Sequence, residues 1–211
     1  IEFALSNISK KVIMLQESNE LNDTSGELLF PILKTFNVWL KKTNRHLLMP
    51  AIVCIAKYFT KKFNEDKLEA LSAKSLCNLS RHFILRLNDD DKEGSLKLVI
   101  ISLAKAIHSL SIDALCEFHS KDLVGLIQNS QQCLEIIKEE NLLKPLIMKI
   151  AEAINTQIDL NKSRLADCSD YVLHRLANSS TKLPKQVGND ILKPTMLTVA
   201  KIIIQKHEVN R

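Results

Sequence analysis

Glycine, proline and aromatic residues are scarce in this chain. There are 4 Gly and 5 Pro among 211 residues, and aromatics make up 5% against 45% apolar side chains. That balance argues against a sheet protein and for helices joined by short polar turns. Long hydrophobic runs are also missing: stretches such as Leu98-Val-Ile-Ile101 fall far short of the roughly 20 residues that a membrane span needs. No glycine-rich loop could cradle a phosphate, and no Cys or His pair has zinc-ligand spacing. No cofactor or metal is therefore expected, and no membrane association. No secretory leader or sorting motif is visible. The chain begins at Ile1, without an initiator Met, and reads as a segment of a longer helical-repeat polypeptide.

The five cysteines, Cys54, Cys77, Cys116, Cys133 and Cys168, lie far apart, and an odd number cannot all pair internally. In apolar helical surroundings a free thiol behaves as a small hydrophobe, which points to a reducing compartment, cytoplasm or nucleus. Asn7, Asn22, Asn78 and Asn178 satisfy the glycosylation pattern, but Asn78 falls inside a helical stretch, against secretion. The net charge of +5 comes from 29 basic and 24 acidic side chains spread along the chain. A dedicated nucleic-acid domain carries a clustered basic footprint, so direct nucleic-acid binding is not expected.

The remaining sequence is dominated by apolar residues at spacings of three and four, the signature of helices with one buried face. Ile1, Leu5, Ile8, Val12 and Leu15 form the first stripe. Thr24 and Glu27 have the spacing of a capping box, and residues 28–42 follow with Leu29, Leu33, Phe36 and Leu40 inward. Pro31 sits at the first turn of that helix or at a kink. Leu48, Ile52, Ile55, Phe59 and Phe63 line the next helix, with Pro50 near its start.

Residues 68–87 are the centre of the pattern. Leu68, Leu71, Ser72, Ser75, Leu76, Leu79, His82 and Phe83 share one face, and Ala70, Ser72, Ala73 and Ser75 would let neighbours approach closely from both sides. Asp89, Asp90 and Asp91 then suit the positive end of a following helix, which carries Leu96, Val99, Ile100, Leu103, Ile107 and Leu110. Ser111 caps another helix, broken near His119. A short helix over 130–140, one over 142–158 and one marked by Leu165, Cys168, Val172 and Leu176 come next. The last follows Pro184 and has Pro194 as a kink.

About ten antiparallel helices result. Helices 28–42 and 48–63 make one hairpin, and 68–87 with 96–110 a second, offset by about 40 residues, the period of HEAT-type repeats. The expected fold is an all-α, HEAT/ARM-like α-solenoid forming a single segment over residues 1–211. A compact helical bundle is the alternative. The core should include Leu33, Phe36, Ile52, Ile55, Phe59, Leu71, Leu76, Leu79, Val99 and Leu103.

Chemistry is sparse. Cys116 and His119 share a helix face, yet nothing supplies an orienting acid or oxyanion donors, so no enzyme is expected. The lysines offer more. Lys57 and Lys61 lie four apart on the second helix of one hairpin, and Lys97 and Lys105 eight apart on the second helix of the next. Stacked hairpins would place these four on one surface, a binding strip for acidic or phosphorylated segments of a protein partner.

Three segments carry a family resemblance. Trp39-Leu-Lys-Lys-Thr-Asn-Arg-His-Leu-Leu-Met-Pro-Ala-Ile52 resembles a hairpin of importin-β superfamily nuclear transport receptors, most of all the transportin-SR branch. Glu69-Ala-Leu-Ser-Ala-Lys-Ser-Leu-Cys-Asn-Leu-Ser-Arg-His-Phe83 is similar to that branch's small-residue helix. Residues 95–127, with Leu110, Cys116 and Leu123, resemble the helix pair that follows. The likeness covers about half the chain; the family's Ran-binding repeats have no counterpart here. It implies the central part of a receptor that carries protein cargo through nuclear pores. A HEAT or armadillo scaffold of a chromatin, RNA-processing or microtubule assembly is the alternative.

Overall fold

The computed structural model describes residues 2–40, 45–65, 72–87, 94–160, 168–169, 171, 173–174 and 189–209. Among them are nine α-helices, one 3-10 turn and no strand. The helices are α1 (Glu2–Glu17), α2 (Gly26–Trp39), α3 (Arg45–Asn64), α4 (Ala73–Ile84), α5 (Ser95–Ser109), α6 (Ile112–Cys116), α7 (Ser120–Ile137), α8 (Glu140–Asp159) and α9 (Asn189–Val209). The chain is all-α, as its composition predicts. It divides into two compact units, Ile1–Ala106 and Ile107–Arg211.

In the first unit α1 lies along α3, and α2 packs on both α3 and α4. The inward stripe of α1 is Leu5, Ser9 and Val12, whereas Ile8 is exposed. Ser9 replaces Ile8 in that stripe because its hydroxyl donates to the Leu47 carbonyl on α3. The 3-10 turn Glu20–Asp23 plugs Leu21 fully into the core. Ser25, one residue after the expected Thr24, caps α2 by accepting the Glu27 N–H at 3.2 Å. Thr24 is used differently: its carbonyl accepts the Tyr58 hydroxyl at 2.7 Å.

Phe59 is the hub of this unit. Its ring meets Tyr58 edge-on at 5.1 Å, stacks on Phe63 at 5.8 Å and meets Phe83 of α4 at 6.2 Å. Gly26 lies against it: a Cβ there would come within 3.3 Å of Phe59 Cε1. Fully burying a side chain of this size contributes roughly 1.5–3 kcal/mol. Nine of the ten expected core residues, Leu33, Phe36, Ile52, Ile55, Phe59, Leu76, Leu79, Val99 and Leu103, are buried; Leu71 lies outside the described residues.

The helix expected over 68–87 is Ala73–Ile84 as described. Ser72 is its N-cap, accepting the Ser75 N–H at 3.2 Å. Ser72 and Ser75 thus serve the helix start, where the sequence suggested spacers between helices. Pro31 is interior to α2 and solvent-exposed, as are Pro50 in α3 and Pro145 in α8. Exposure lets the backbone carbonyl that each proline frees turn toward water.

In the second unit α8 is central, packing on α6, α7 and α9. Ser111 caps α6 by accepting the Ala114 N–H, and the break near His119 is present: His119 caps α7 through Nδ1, which accepts the Lys121 N–H at 3.2 Å. The short helix expected over 130–140 is the second half of α7, which runs unbroken to Ile137. Ser130 is buried within it, and the helix stops only at Lys138, which adopts a left-handed φ of 59°. The segment around Leu165–Leu176 lies mostly outside the described residues, although Cys168 and Leu173 are buried.

Candidate functional site

Lys57 and Lys61 project from the last two turns of α3, both exposed. Together with Thr60, Asn64 and Glu65 they line an open depression of about 570 Å³, closed on its other side by Ser95 and Leu98 of α5. Residues 57, 60, 61 and 64 fall at three- and four-residue steps, so one strip of α3 forms this wall. The buried face of the same helix, Ile55, Phe59 and Phe63, fixes that strip outward. The lining holds two lysines and one carboxylate, Glu65, and Ser95 brings in the amino end of α5, a favourable place for negative charge. The depression therefore suits an acidic group with an apolar neighbour.

Lys97 and Lys105 are exposed on α5 but do not line this depression. Lys105 follows Leu98 by seven residues and so lies two turns along the same side, while Lys97 is rotated about 100° from Leu98. The structure brings Lys57 and Lys61 into one site; the other pair stays apart from it. Sequence reasoning missed Leu98, which is 52% exposed. A signal was there: Leu98 falls off the Leu96, Val99, Ile100, Leu103, Ile107 stripe, among the polar positions of its helix.

The other candidates have structural roles. Cys116 Sγ donates to the Ala153 carbonyl at 3.5 Å, and His119 Nδ1 is occupied as a helix cap. No group of three or more His, Cys, Asp or Glu side chains with metal-binding geometry occurs among the described residues. No helix among them is long and apolar enough to cross a membrane. Comparison of the chain with protein families, curated proteins and solved structures finds no match.

Proposed function

We propose that this chain is a non-catalytic, protein-binding segment of a HEAT/armadillo-like α-solenoid, and that it docks an acidic or phosphorylated segment of a partner protein. The observation that carries the reading is the depression itself: Lys57 and Lys61 on one wall, the amino end of α5 and exposed Leu98 on the other. The helix order of the first unit supports the repeat reading, because α1 lies along α3 and α2 packs on α4. Contacts between helices two apart are what stacked hairpins make. On the importin-β-like resemblance, the partner is protein cargo of a nuclear transport receptor working between cytoplasm and nucleus. A scaffold of a chromatin, RNA-processing or microtubule assembly could use the same surface.

The site division gives the test. Binding of a labelled phosphoserine-rich peptide is compared among the parent chain, a Lys57→Glu/Lys61→Glu double variant and a Lys97→Glu/Lys105→Glu double variant. The first variant should lose most of its affinity at low salt while its thermal melt stays unchanged, and the second should lose little. Parent affinity should fall as salt shortens the Debye length from about 10 Å at 0.1 M to about 3 Å at 1 M. Equal affinity in all three proteins overturns the reading.

A further inference from the structure

α2 and α4 meet around a half-buried histidine. The His82 ring lies tilted against Phe30 of α2, with centroids 5.8 Å apart. Its Nδ1 is buried and has no hydrogen-bond partner. In the turn just past the end of α4, Arg86 is 9% exposed and reaches across to α2. Its Nε donates to the Asn37 side-chain oxygen at 2.5 Å, and its Nη2 donates to the Asn37 carbonyl at 2.9 Å. Asn37 is itself held by its Nδ2, which donates to the Leu33 carbonyl at 3.0 Å. The seam between the two helices is thus a polar tie beside an aromatic contact.

Burial pushes the His82 pKa down, and Arg81, Lys34 and Arg86 push it the same way. Lys34 comes from α2, one turn beyond Phe30; Arg81 comes from the last turn of α4 and Arg86 from the turn that follows it. α3 meets α4 through the Phe59 and Phe83 rings, and none of its titratable groups acts on His82. A protonated imidazole has two N–H donors. Its Nδ1–H would be buried without an acceptor, and its charge would join three others of the same sign.

We propose that the α2–α4 seam is a proton-sensitive joint: neutral His82 keeps it closed, and protonation of His82 in mildly acidic solution loosens α4 from α2. The sign follows from linkage. A histidine that is harder to protonate when folded leaves the unfolded chain binding more protons just below its ordinary pKa of about 6.5. Stability is therefore full above that pH and is lost as pH falls through the lowered folded value.

The test uses the whole chain and two variants. Hydrogen-exchange protection of α4 amides, corrected for intrinsic rates, is compared at pH 7.5 and pH 5.0 with that of α8. In the parent, α4 should lose protection at pH 5.0 relative to α8; in His82→Gln, which cannot take up the proton, α4 should keep it. Independently, the NMR titration of the His82 ring should move to higher pH in Lys34→Gln, a measurement that needs no change at His82 itself. An equal loss of α4 protection in parent and His82→Gln overturns the proposal. So does a His82 titration that ignores Lys34→Gln.

Discussion

Leu76 and Leu98 are the same residue type on neighbouring helices, with opposite fates. Leu76 is 2% exposed and sits beside Leu79 and Phe83 on the inner face of α4; Leu98 is 52% exposed. Truncating a buried leucine removes its transfer energy and leaves a cavity, so Leu76→Ala should cost about 2–5 kcal/mol in a urea melt. Leu98→Ala should stay within about 0.5 kcal/mol, as surface changes do. A loss under about 1 kcal/mol for Leu76→Ala would show that α4 contributes little to the first unit. Both fates were legible at the level of spacing, because Leu76 lies on its helix stripe and Leu98 lies off its own. The function of an off-stripe leucine was not legible. It depends on which residues of α3 stand opposite, and no local pattern records that.

At the scale of elements, helix starts were easier to read than helix ends. Ser111 was recognisable as a cap because a serine just ahead of an apolar stripe has one role that local chemistry rewards. The cap of α2 came out one residue away, at Ser25, because Thr24 gives its carbonyl to Tyr58 from 34 positions further along the chain. The junction of α6 and α7 shows the same dependence on distance. Gln157 of α8, 2% exposed, donates Nε2 to the Cys116 carbonyl at 2.8 Å and to the Phe118 carbonyl at 2.7 Å. Its Oε1 accepts the Ser120 hydroxyl at 2.9 Å. One amide thus satisfies the carbonyls freed where α6 stops and anchors the first residue of α7. Gln157→Leu keeps the volume and removes all three bonds, so it should cost about 2–4 kcal/mol. Hydrogen exchange should show the first turn of α7 opening ahead of its middle. If α7 opens evenly and stability is unchanged, the junction is held by packing alone.

For the molecule as a whole, the helical class followed from composition and periodicity, and the buried set followed from the stripes. Of the four lysines, Lys57 and Lys61 line the depression, and periodicity could not single them out, since it orients a side chain about its own helix and says nothing of the neighbour's rotation. Side-chain ionisation is a whole-chain property of the same kind, set by burial from several elements at once. Cys133, buried on α7, has its thiol pKa pushed from 9.0 up to about 12 by desolvation. Tyr58 in the first unit is also raised, by burial of its ring. Both groups are harder to ionise when folded, so above their ordinary pKa values the unfolded chain releases more protons than the folded one. Their contribution to stability is complete below about pH 9 and is lost as pH rises toward the folded values. For Cys133 the loss has a slope of about 1.4 kcal/mol per pH unit across that window. Urea midpoints of the reduced protein should be level between pH 7.5 and 8.5 and fall between pH 9 and 10.5. Cys133→Ala, less stable at neutral pH because it empties part of the core, should show a visibly shallower alkaline decline. If the variant and the parent decline in parallel, the buried thiol is not what makes the chain sensitive to base.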